Sequence, residues 1–118
     1  MPPKFLFTRE QIITAALNTV RRAGLSGLTA RSLAAELGCS VKPIFGLFKN
    51  MEEVQREVMV AADRLYQSHI AQAMAEGRSP PYKASGMAYI SFAREERELF
   101  RLLFMRDRRG ETSVENRE

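Results

Sequence analysis

The sequence has few of the residues that build disulfides, metal sites and turn-rich β structure. It contains one cysteine, one histidine, no tryptophan, seven glycines and five prolines in 118 residues. One cysteine cannot form an internal disulfide, and Cys39 with His69 cannot supply the usual ligands of a zinc site. The composition favours helices over a β-sandwich, and no β-type alternation of any length is present. We therefore expect an all-α protein without metal or cofactor.

Long apolar runs are also missing. No segment approaches the roughly 18 apolar residues that are needed to cross a bilayer. The first eight residues, Met-Pro-Pro-Lys-Phe-Leu-Phe-Thr, are too short and too polar at their edges for a signal peptide. These features predict a cytoplasmic protein that does not associate with membranes. The sequence has no catalytic triad, Gly-rich phosphate loop or metal cluster, so an enzyme is not expected.

Positive charge is concentrated in the first half of the chain. The net charge is +4, and residues 1–50 carry seven Lys or Arg against two acidic residues. The other 68 residues carry eleven positive and twelve negative groups. This asymmetry is typical of a nucleic-acid-binding module joined to a neutral one, although an excess of this size also arises by chance.

Capping residues and helical periodicity divide the first part of the chain into four helices. Thr8 and Gln11 fit a capping box, and Gly24 follows the last periodic residue of the first helix. Pro43 falls in the first turn of the third helix, where its missing N–H costs nothing. The helices are expected over residues 8–23, 30–37, 41–48 and 51–76. The residues expected to cap them are Thr8, Thr29, Ser40 and Asn50.

The segment Gly77–Pro81 is the clearest break in the chain and predicts a domain boundary. Residues 82–106 then form one helix, or two if the polar cluster Arg94–Arg97 divides them. The residues expected to anchor this stretch are Met87, Ile90, Phe92, Leu99, Phe100, Leu103 and Phe104. Residues 110–118 are polar and lack periodicity, so they are expected to be disordered.

The segment from Thr29 to Phe48 carries the functional signal. Two short helices meet at a turn that contains glycine, which is the helix-turn-helix arrangement. In that arrangement the second helix lies in the major groove of DNA. Two short helices with a tight turn are also ordinary elements of a helical bundle, and the pattern alone does not separate these readings.

Residues 8–54 resemble the DNA-binding domain of the TetR/AcrR family of transcription regulators. The resemblance is carried by Thr8, Ile13-Thr-Ala-Ala-Leu17, Gly24, the run Leu28-Thr-Ala-Arg-Ser-Leu-Ala-Ala-Glu-Leu-Gly38, and Phe45-Gly-Leu-Phe48. It implies a three-helix bundle with a helix-turn-helix at 1–50, a long connecting helix at 51–76 and the start of a helical regulatory domain at 77–109. The implied function is sequence-specific DNA binding, most often as a repressor.

The resemblance also implies roles for single residues. Thr29 contacts phosphate, and Arg31 reaches phosphate or a guanine edge. Lys49, Lys4 and Arg9 add attraction to the phosphate backbone that does not depend on sequence. The residues implied to face DNA at the turn and third helix are Ser40, Val41, Lys42, Pro43, Phe45 and Leu47.

Three positions differ from the family pattern. The family usually has Tyr at Phe45, a polar residue at Leu47, and Lys at Met51. These differences imply a more apolar recognition surface and weaker anchoring to phosphate. The partners implied are double-stranded DNA, a second copy of the chain, and a small-molecule effector in the full-length family form.

The family's usual dimerisation helices have no counterpart in this sequence. We therefore expect a chain that lacks the family's standard dimer interface and leaves the 82–106 helices partly uncovered. A truncated helical protein that keeps the fold but binds DNA weakly, or acts by protein–protein association, is the alternative.

Overall fold

The computed structural model describes residues 7–105, and all regular structure within this range is helical. The helices are α1 Arg9–Ala23, α2 Ala30–Leu37, α3 Lys42–Leu47, α4 Met51–Ala75, α5 Pro81–Glu95 and α6 Arg97–Phe100. A 3₁₀ turn spans Leu25–Gly27, and the π-helical segment Arg101–Met105 follows α6. The predicted all-α class is therefore confirmed. Lys4 and the tail 110–118 lie outside the described residues.

Three of the four predicted caps are present. Thr8 and Gln11 form the capping box, with the Thr8 hydroxyl accepting the Gln11 N–H at 3.1 Å. Thr29 caps α2, and the side chain of Asn50 accepts the Glu53 N–H at the start of α4. Side-chain oxygens at these positions satisfy N–H groups that have no partner inside the helix.

The predicted Ser40 cap is wrong. The N-cap of α3 is Val41, and it makes no side-chain capping bond. A serine cap accepts the backbone N–H two or three residues further on. Three residues after Ser40 stands Pro43, which has no N–H to donate. The Val41 carbonyl instead accepts from Ile44 at 3.1 Å and begins the helix.

One apolar core joins both ends of the described chain. Helix α1 buries Ile12, Ala16 and Val20 against the helix-turn-helix and α4. Leu99 and Leu102, which lie beyond the break at 77–81, belong to the same core. The remaining members of this core are Ala15, Leu17, Leu28, Leu33, Ala34, Ile44, Phe48, Val54, Val58, Ala62 and Phe92. The buried core is thus continuous across the predicted domain boundary.

Helix α5 packs on α4 and leaves part of its apolar surface exposed. Ala84, Ala88 and Phe92, spaced four residues apart, form the buried stripe. The prediction that Met87 and Ile90 are buried is wrong, because the helix turns them away from this stripe, and they are 57% and 61% exposed. Phe104 is 44% exposed. Helix α5 ends at Glu95 and α6 begins at Arg97, which agrees with the predicted break in the Arg94–Arg97 cluster.

Aromatic side chains join α4, α5 and the π-helical segment. The Tyr66 ring meets Phe92 and Phe104 edge-on, with centroids 5.2 and 5.1 Å apart. Burial raises the pKa of Tyr66, and Tyr89 and Asp63 raise it further. His69, for which the sequence suggested no partner, lies 2.7 Å from the Ser91 hydroxyl through its Nε2. These contacts identify His69 as part of the α4–α5 packing.

Candidate nucleic-acid interface

The turn between α2 and α3 is built around Gly38. Its φ of 73° and ψ of 36° lie in the left-handed region, where a side chain is strained. The Gly38 N–H donates to Ala35 and the Cys39 N–H donates to Ala34. This pair of bonds is a Schellman motif, which satisfies the last carbonyls of α2 while reversing the chain. Gly38 therefore sets the direction in which α3 leaves α2.

Helix α3 has a buried side and an exposed side. Ile44 is fully buried and Phe48, just after the helix, is 2% exposed. Lys42 and Phe45 are both exposed and lie three residues apart, so they share one face. Phe45 is 44% exposed although it is a large apolar residue. The six residues of α3 span about 9 Å, which fits within the roughly 12 Å width of a B-DNA major groove.

The Thr29 hydroxyl has a defined orientation at the start of α2. Its oxygen accepts the Ser32 N–H at 3.0 Å, and the Ser32 hydroxyl accepts the Thr29 N–H at 2.9 Å. A hydroxyl has one donor as well as acceptor lone pairs. Because Thr29 uses only its acceptor here, its O–H remains able to donate to a phosphate oxygen near the helix N-terminus.

Cations near the helix-turn-helix differ from those on α1. Arg9, Arg21 and Arg22 of α1 each pair with a carboxylate, as Arg22 does with Glu36 at 2.9 Å. By contrast, the three cations between Thr29 and Lys49 are exposed, and none of them takes part in the ion pairs of residues 7–105, which involve Arg9, Arg21, Arg22 and Arg101. They are Arg31 on α2, Lys42 on α3 and Lys49 in the following loop.

The surface of α2 and α3 carries a net positive charge. Between Thr29 and Lys49 the sequence has one acidic residue, Glu36, and Arg22 of α1 neutralises it. The charge asymmetry of the sequence therefore becomes a local excess at the helix-turn-helix. A surface of this kind attracts polyanions and releases their condensed counterions on binding.

The other predicted site residues lie near this surface with different exposure. Ser40 is exposed in the turn, and Val41 at the N-cap of α3 is 39% exposed. Pro43 and Leu47 are half-buried, and Leu47 packs against the core. The structure thus places Lys42, Phe45 and Val41 outward, whereas Leu47 has less free surface than expected.

Arg9 makes contacts that the sequence did not suggest. Its Nη1 donates to the Leu47 carbonyl at 2.6 Å, and its Nη2 lies 3.4 Å from a Glu53 carboxylate oxygen. These partners are 38 and 44 residues away in sequence, so no local spacing could reveal them. The same guanidinium lies 4.3 Å from the centroid of the Phe48 ring.

A second concave feature lies between α4 and α5, away from α3. It is an open cleft of about 330 Å³, with His69, Ser91, Glu76 and Arg78 among its lining residues. Within the described residues no group of three His, Cys, Asp or Glu side chains could hold a metal ion. No described helix is long and apolar enough to span a bilayer.

Comparisons with protein-family models and with curated protein sequences found no match for this chain.

Proposed function

We propose that this protein is a sequence-specific DNA-binding transcription regulator, acting as a repressor, that reads the major groove with α3. The observation that carries the proposal is the charge of the helix-turn-helix, which has three exposed, unpaired cations and a single acidic residue, Glu36, that is paired with Arg22. Arg31, Lys42 and Lys49 are exposed and free of ion pairs among residues 7–105, whereas the cations of α1 are paired. The TetR/AcrR resemblance of residues 8–54 supports the same function.

The exposed face of α3 supplies groups that suit base edges. Lys42 stands at the first position of α3, and N-terminal residues of a recognition helix contact bases in this motif. A lysine ammonium donates to the O6 and N7 atoms of guanine. Val41 and Phe45 offer apolar surface to a thymine methyl group. Thr29, Arg31 and Lys49 then hold the phosphates on either side.

Salt dependence of duplex binding tests the proposal. Fluorescence anisotropy with a pool of random-sequence duplex should lose affinity steeply between about 50 and 200 mM salt. If Arg31 and Lys49 each neutralise one phosphate, the slope of log K against log salt is about −1.8, a loss of about 12-fold. Binding that is absent, or insensitive to salt, would refute the proposed function.

Selection from a randomised duplex library tests the reading role of α3. Lys42→Ala should change the preferred sequence, because it removes the one long donor on the exposed face of α3. Lys83→Ala is the matched control, since it removes the same charge from α5, which packs against α4 and α6. If Lys42→Ala and the unchanged protein select the same duplex sequences, base reading by α3 is contradicted.

A second candidate function is protein–protein association through α5. It is favoured by the exposure of Tyr82, Met87 and Ile90, which are 82%, 57% and 61% exposed. Exposed apolar patches mark interaction surfaces when they are contiguous. Light scattering at micromolar concentration distinguishes this candidate: association without salt-dependent duplex binding favours it over the regulator.

A further inference from the structure

The guanidinium of Arg9 connects α1 to α3 and α4. It belongs to the first residue of α1, and it donates through Nη1 to the carbonyl of Leu47, the last residue of α3, at 2.6 Å. Its Nη2 lies 3.4 Å from Glu53 and 3.8 Å from Glu57, both on α4. Its central carbon stands 4.3 Å from the Phe48 ring centroid. One planar side chain thus touches both the end of α3 and the start of α4.

These contacts matter because α3 has little intrinsic stability. It has six residues and no side-chain cap at its N-terminus. Isolated helices of this length are not stable in water, so tertiary contacts must hold α3 in place. The last carbonyls of a helix have no partner within the helix, and a cation near them is favourable. Arg9 supplies both the missing donor and the positive charge.

Glu53 extends the same connection into the α3–α4 loop. Its Oε1 accepts the Lys49 N–H at 2.6 Å, while its Oε2 faces Arg9. The Lys49 N–H chiefly, and Arg9 to a smaller extent, hold the pKa of Glu53 below its usual range. The carboxylate therefore stays ionised at neutral pH and links the loop to Arg9.

We propose that Arg9 is a positioning residue that fixes α3 against α1 and α4, and that it does not act as a phosphate contact. The effect of this positioning on DNA binding rests on the proposed function. Two carboxylates, those of Glu53 and Glu57, lie within 4 Å of Nη2, so the charge of Arg9 is compensated inside the protein. Its Nη1 already donates a short, charge-assisted hydrogen bond to the Leu47 carbonyl.

Arg9→Lys distinguishes a positioning role from a phosphate contact in duplex binding. A lysine keeps the charge needed for a phosphate contact, but it lacks the planar fork that bonds Leu47 and stacks on Phe48. We expect Arg9→Lys and Arg9→Ala each to lower affinity about tenfold, as loss of one charge-assisted hydrogen bond does. We expect both variants to keep the salt slope of the unchanged protein. Lys49→Ala is the control and should reduce the slope by about 0.9.

The opposite pattern would overturn the inference. If Arg9→Ala reduces the salt slope as Lys49→Ala does, and Arg9→Lys restores affinity, Arg9 contacts phosphate. Equal affinity of Arg9→Lys, Arg9→Ala and the unchanged protein would also overturn it.

Hydrogen exchange in the free protein tests positioning without DNA. The Phe48 N–H donates to Ile44 at 2.8 Å, and its exchange reports on the end of α3. Arg9→Lys should speed this exchange about tenfold, as loss of one charge-assisted hydrogen bond at the end of α3 does, while the α2 amides keep their rates. Arg22→Lys, which alters a pair on the other end of α1, should leave Phe48 unchanged. Unchanged exchange in Arg9→Lys refutes the positioning role, whereas absence of duplex binding refutes only the proposed function.

Discussion

Gly38→Ala and Gly86→Ala make the same chemical change in two backbone conformations, and we expect opposite effects on stability. A Cβ added at either glycine meets no atom of another part of the chain within 4 Å, so neither tertiary packing nor a tertiary clash contributes. Gly38 has a φ of 73°, whereas Gly86 lies within helix α5. The left-handed conformation costs an alanine about 1–2 kcal/mol, partly offset by about 0.4–1 kcal/mol from the stiffer unfolded chain.

The expected loss of unfolding free energy for Gly38→Ala is therefore about 1 kcal/mol. Gly86→Ala should gain about 0.8 kcal/mol, because alanine is the better helix former. Urea unfolding followed by far-UV circular dichroism measures both. At an m-value of about 2 kcal/mol/M, the midpoints shift by about 0.5 M in opposite directions. A neutral or stabilising Gly38→Ala would refute the left-handed turn between α2 and α3.

Two further predictions concern the contacts between the halves of the chain. The Arg21 guanidinium holds Glu96 through two bonds, Nε to Oε1 at 3.0 Å and Nη2 to Oε2 at 2.9 Å. Arg21→Lys loses this planar fork and should lower the unfolding free energy by about 0.5–1 kcal/mol in urea titrations, whereas Arg22→Lys, at a single exposed pair, should cost less. Because the pKa of Tyr66 is raised in the folded state, its contribution to stability is complete below about pH 10 and declines as the pH rises above that value. Tyr66→Phe should flatten the fall of the urea midpoint between about pH 9 and 11, and an unchanged slope would contradict the raised pKa of Tyr66.

Local signals in the sequence predicted the helices well. Thr8, Thr29 and Asn50 are followed by residues whose N–H groups they accept, so each cap depends on neighbours within three positions. The Ser40 cap failed for an equally local reason, because Pro43 occupies one of the two donor positions and the helix begins one residue later, with Val41 as its N-cap. Caps can be assigned from sequence when both the acceptor and the donor are checked.

Contacts between distant residues could not be predicted in the same way. The partners of Arg9 lie on α3 and α4, and Glu96, which forms the ion pair with Arg21, lies at the α5–α6 break, 75 residues away. Periodicity identified α5 as amphipathic but did not give its rotation, so Met87 and Ile90 were assigned to the wrong side. The charge count predicted a positive first half, but only pairing in the structure distinguishes Arg31, Lys42 and Lys49 from the cations of α1.

The continuous core has a consequence for the order of folding during synthesis. Leu99 and Leu102 are buried with Ile12 and Val20, so the first helix is fully covered only by residues made near the end of the described chain. Ribosomes add about 5–20 residues per second, so several seconds pass between the synthesis of α1 and that of Leu99 and Leu102. During that interval, part of its apolar side is open to chaperones and to other nascent chains.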